Sequence, residues 1–117
     1  MNGVLNELNE NGVDIKSVIE RFAGNEELCT KFILKFVDDK SFNEAKEALA
    51  EKDFEQVLVG VHTLKGVSAN LGMTDLYKEC DSVVIKIRAN DYEIEQDMQK
   101  IEDEYNRIVS IIKKRCV

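Results

Sequence analysis

One histidine occurs in these 117 residues, His62, and the residue types around it suit a specific chemistry. Lys65 follows it by three positions and Gly66 by four, the spacings that put residues on one face of an α-helix. Ala69 continues that face, and Glu55, Leu58 and Val59 lie one or two turns before it. A neutral imidazole is nucleophilic near neutral pH, its ordinary pKa being ~6.5. Brought in line with an electrophilic phosphorus, it can accept a phosphoryl group. A cation one turn away can hold the phosphoryl oxygens, and Lys65 stands there. A glycine inside a helix costs about 1 kcal/mol relative to alanine, so Gly66 asks for a reason. Clearance for another protein's surface above the ring is one. Each residue has a plainer reading: a histidine satisfied in a core or loose on a surface, a solvated lysine, a glycine packed on a neighbouring helix. The combination on one face favours the chemical reading.

The surrounding pattern must hold that face in place. Asp14 is suited to cap a short helix through Phe22, with Ile15, Val18, Ile19 and Phe22 apolar. A second helix is expected from near Glu26, with Leu28, Phe32, Ile33 and Phe36 in phase. The phase slips before Phe42, Ala45 and Leu49, and Ser41-Phe42-Asn43-Glu44 has a capping-box pattern, so a kink or restart is expected between Asp39 and Ser41. Asp53 opens the helix that carries His62. Phe54, Val57, Val61, Leu64, Ser68 and Leu71 form its inward stripe, and at ~100° per residue His62 points about 130° away from the centre of that stripe. Gly72 suits a C-cap. Thr74 suits the next cap, followed by Leu76, Cys80, Val83 and Ile87. After Asn90-Asp91, Ile94, Met98, Ile101, Tyr105, Ile108 and Ile112 alternate spacings of four and three, the seam of a bundle helix. Short connections force antiparallel neighbours. The expected fold is all-α: an up-down antiparallel four-helix bundle with a short extra N-terminal helix. One domain is expected over residues 1–117, with residues 1–12 a loosely ordered lead-in or a short helix.

Composition narrows the function. The chain has no proline, six glycines and a net charge of -7. An acidic chain lacks the basic face that nucleic acid requires and is ill suited to an anionic membrane. No apolar run is long enough to span a bilayer, and Met1-Asn2-Gly3-Val4 lacks the pattern of a signal peptide. Cys29, Cys80 and Cys116 form no C-x-x-C; an odd count suits a reducing compartment, and a cytoplasmic location is expected. Cys29 and Cys80 read as small apolar filling. Neither G-x-x-x-x-G-K-[ST] nor G-x-G-x-x-G occurs, so no nucleotide cradle is evident and no kinase activity is expected. A single histidine, with no E-x-x-H pair, argues against a metal site.

The run Val61-His62-Thr63-Leu64-Lys65-Gly66-Val67-Ser68-Ala69-Asn70-Leu71-Gly72 resembles the signature of histidine-containing phosphotransfer (HPt) domains, H-x-L-K-G followed by small residues and L-G. The resemblance continues through Leu76 and Cys80. Gly12-Val13-Asp14 and Arg21-Phe22-Ala23-Gly24-Asn25 resemble the lead-in of stand-alone members. It implies a phosphorelay intermediate in which His62 is the phosphoacceptor, Lys65 stabilises the phosphoryl group and Gly66 gives clearance. The implied partners are response-regulator receiver domains and hybrid sensor kinases. It implies no cofactor of the chain's own, the magnesium belonging to the receiver. A monomer is expected.

One position departs from the family pattern. Some members carry a glutamine that hydrogen-bonds the histidine; the hairpin at Gly72 brings Val84 to that neighbourhood instead, and valine offers no hydrogen bond. Leu58, Val59, Ala69, Val84 and Arg88 are then the expected docking rim, Arg88 standing equally well as a solvated helix-end cation. The other function to weigh is a helical docking module that binds a two-component partner without phosphotransfer. A metal-binding bundle enzyme is a third.

Overall fold

Short polar side chains start four of the helices. Asn2, Asp14, Asn25 and Asp53 each accept a hydrogen bond from the main-chain N–H three residues on, at 3.0, 3.3, 2.9 and 3.2 Å. Each satisfies a donor that the first helical turn leaves unpaired. The computed structural model describes residues 1–115, so Cys116 lies outside the described residues. Among them are seven α-helices and no strand: α1 Gly3–Glu10, α2 Ile15–Arg21, α3 Glu26–Lys35, α4 Ser41–Ala50, α5 Phe54–Asn70, α6 Thr74–Arg88 and α7 Glu95–Arg115. None is long and apolar enough to cross a membrane.

Of the two expectations for residues 1–12, a loose lead-in or a short helix, the structure shows the short helix. Residues 3–10 form α1, with Leu5 and Leu8 fully buried. The segment looks polar because only one face is apolar. That face packs on α7 and α2.

The phase slip after Phe36 is a break. A 3₁₀ turn at Phe36–Asp38 separates α3 from α4. Ser41 does not cap α4; it is the first helical residue, and Asp39 accepts from its main-chain N–H at 2.9 Å and also from its hydroxyl. Thr74 is likewise the first residue of α6, after Met73, and makes no capping bond. In both cases the residue before the sequence signal, Lys40 or Met73, takes the N-cap position, and neither makes a side-chain cap bond.

α5 packs between α4 and α6, and α6 packs on α7. Gly60 makes the first contact possible: a Cβ there would lie 2.8 Å from the Ser41 carbonyl oxygen and 2.9 Å from the Ala45 Cβ. Gly72 turns the chain from α5 to α6 with φ 70°, and a Cβ there would sit 2.6 Å from the Asp14 carbonyl oxygen. The Asp14 N–H donates to the Gly72 carbonyl at 2.8 Å, tying the start of α2 to this turn. Of the expected seam, Ile94 just before α7 and Ile101, Ile108 and Ile112 on it are fully buried. The Tyr105 ring is tilted against Phe36 and stacked on Phe42, with centroids 5.2 and 5.5 Å away, and its hydroxyl donates to the Asp39 carbonyl.

Candidate functional site

The rotation of α5 decides what its surface offers. Val57, Gly60, Val61, Leu64 and Ser68 are buried. His62 is on the opposite side, exposed to solvent. A histidine satisfied in the core is therefore excluded. Gly66, one turn on, has nothing within 4 Å of where a Cβ would stand. Packing against another helix does not account for this glycine; that role belongs to Gly60. The glycine on the histidine face opens onto free space.

Lys65 is not an ordinary solvated lysine. Its ammonium lies 2.8 Å from a carboxylate oxygen of Asp81 on α6 and 5.5 Å from the centre of the Tyr77 ring. The hydrogen bond that Lys65 donates to Asp81 holds its pKa above the usual lysine range; burial and the nearby Arg88 charge act the other way. Two facts follow. Lys65 bridges α5 and α6, and Arg88 stands close enough to be felt electrostatically at the same spot. Asp81 and Tyr77 were not legible as site residues, because nothing in the sequence fixes how α6 is rotated and offset against α5.

The expected rim is brought together only in part. Val59 is 55% exposed, Leu58 and Ala69 are half-buried, and Arg88 is exposed. Val84 is a correction: at 1% exposure it offers nothing to a partner. It follows Cys80 by four residues in the α6 stripe and packs in the core. Ile85, which the sequence reading missed, is 60% exposed. With Asp81 and Arg88 it follows the spacing of one helical face. Its signal was there: a large apolar residue out of phase with Leu76, Cys80, Val83 and Ile87. At the far end of α5, Arg21 of α2 donates to the Ala69 carbonyl.

Cys29 and Cys80 are free thiols in the core, as small apolar filling should be. Burial pushes the Cys80 thiol up to about 12, so it is no nucleophile. His62 is exposed on this face, with a lysine one turn on and open space beside it.

The helix thus presents an exposed histidine, a lysine one turn on and a glycine that opens onto free space on one face. The family model of the Hpt domain matches residues 39–110, more than half of the chain. The chain belongs to the Hpt domain family, whose members are phosphocarrier modules of two-component signalling that interact with receiver domains and kinases. No curated protein and no solved structure matches it.

Proposed function

We propose that this protein is a phosphorelay intermediate, taking a phosphoryl group onto His62 from a receiver-domain aspartate and passing it to a second receiver. The observation that carries this is the exposure of His62 on the same α5 face as Lys65 and the unobstructed Gly66. The outer ring nitrogen of neutral His62 attacks the phosphorus of the aspartyl phosphate. The P–O bond to aspartate breaks, its electron pair leaves on the carboxylate, and an N–P bond forms. The proton on the other ring nitrogen stays with the ring or passes to water. Lys65 steadies the phosphoryl oxygens, and Arg88 adds a second positive charge nearby. Leu58, Val59, Ala69 and Ile85 supply the apolar rim on which a receiver rests. The fold is taken as one domain, with α3–α4, α5, α6 and α7 as an up-down antiparallel four-helix bundle and α1 and α2 added before it. The protein acts as a cytoplasmic monomer without kinase activity of its own, and magnesium is needed only at the receiver's aspartate.

The test is incubation with a receiver domain charged on its aspartate, following acid-labile phosphate on this chain. Label on the wild type and none on His62→Gln supports the reading. Absence of label on the wild type, or equal label on His62→Gln, overturns it. Receiver binding without any phosphohistidine would favour a docking module.

A further inference from the structure

We propose that Asp81 is a positioning residue that competes for Lys65 and so keeps the phosphoryl group on His62 weakly held and easily passed on. The inference rests on His62 being the phosphoacceptor and adds a regulator of that site.

The argument begins with charge. Lys65 is at once one helical turn from His62 and in an ion pair of 2.8 Å with Asp81. Its side chain is 22% exposed and that of Asp81 36%, so the pair is partly shielded from water. The Tyr77 ring lies beside the ammonium and helps to fix it there. An ammonium has three donors and no preferred plane, so it can share itself between a carboxylate and a phosphoryl group. Sharing is not free of consequence. Asp81 cancels the charge of Lys65 and repels a phosphoryl dianion arriving on the same face. Arg88, which makes no ion pair among the described residues, is left as the uncompensated cation. Lys65, Asp81 and Arg88 together carry one net positive charge, and two without Asp81. A carrier that must release what it receives gains from the smaller value.

The experiment charges four proteins with phosphoramidate: wild type, Asp81→Asn, Lys65→Ala, and the double variant. It reads the lifetime of acid-labile phosphohistidine and its equilibrium share against a receiver domain. Asp81→Asn is expected to lengthen the lifetime and shift the share toward this chain by about fivefold, the size that coupling within a partly exposed pair allows. Asp81→Glu, which keeps the charge, should return both toward wild type. On the Lys65→Ala background the Asp81→Asn change should have a smaller effect, because only the direct repulsion by Asp81 is left to relieve. A lifetime unchanged or shortened by Asp81→Asn overturns the proposal, as does an equal effect in the absence of Lys65. A wild type that accepts no phosphoryl group at His62 overturns the phosphoacceptor reading itself, and this proposal with it. Thermal melting of each variant separates these outcomes from loss of fold. The Lys65 ammonium, followed by nitrogen NMR, should titrate lower in Asp81→Asn; an unmoved titration also counts against the pairing.

Discussion

Gly60 lies directly against the main chain of Ser41, so close that a Cβ would stand 2.8 Å from its carbonyl oxygen. This contact sets the rotation of α5 on α4. His62 is two residues further on, about 200° around the helix, which turns it away from the core. Gly60→Ala should therefore destabilise the fold by about 1–3 kcal/mol, since the backbone at Ser41 cannot yield as a flexible side chain would. Urea unfolding measures this directly, and an unchanged midpoint would mean that the helices separate at little cost.

The opposite result is expected at Gly66. With free space around it, Gly66→Ala should stabilise the protein by up to about 1 kcal/mol through helix propensity alone. Gly66→Phe should fold equally well and still accept phosphoryl groups from phosphoramidate, but slow transfer from a receiver by about tenfold or more. Receiver transfer at the wild-type rate in Gly66→Phe would remove clearance as its function.

Lys65→Ala should slow transfer to His62 by about ten- to a hundredfold, the loss expected for one charge-assisted hydrogen bond. The fold should lose at most about 1 kcal/mol, because the ion pair with Asp81 is partly exposed. Single-turnover kinetics and a melt on the same sample separate the two effects.

Away from the site, Glu79 on α6 has a carboxylate oxygen enclosed without a hydrogen-bond partner. Burial raises its pKa, and so do the Glu104, Asp75 and Asp103 charges, while Lys100 acts the other way. Folding thus disfavours its ionised form. Between the ordinary carboxylate value and the raised one the native state holds more protons than the unfolded state, so stability falls as pH rises. Below that window the penalty is absent, and above it the penalty is complete. Glu79→Gln should be more stable than wild type at pH 7 and lose that advantage near pH 4; melts at the two pH values check the sign.

Much of this architecture is legible in the residues. Asp14 and Asp53 announce their helices because a short carboxylate before an apolar-periodic run has few other uses. The outward aim of His62 follows from the positions of Val57, Val61, Leu64 and Ser68 alone. What the sequence hides lies in relations between helices. Lys65 and Asp81 are 16 residues apart and meet only because α5 and α6 pack at one particular offset. The same offset buries Val84 and leaves Ile85 outside. Ser41 and Thr74 carry the side chains of caps, yet backbone conformation at each junction moved the helix start onto them.

The ties between α2 and the end of α5 have a practical consequence. Asp14 bonds the Gly72 turn and Arg21 bonds Ala69, both from outside the 39–110 stretch that the family pattern covers. A fragment trimmed to that stretch would keep every residue of the phosphotransfer signature. It would also strip the brace from the helix that bears it and expose the apolar bed under Leu5, Leu8, Ile15 and Val18. The unit by which the family is recognised is thus smaller than the unit that must fold, and shortening the chain from its start should cost carrier activity without touching the carrier face.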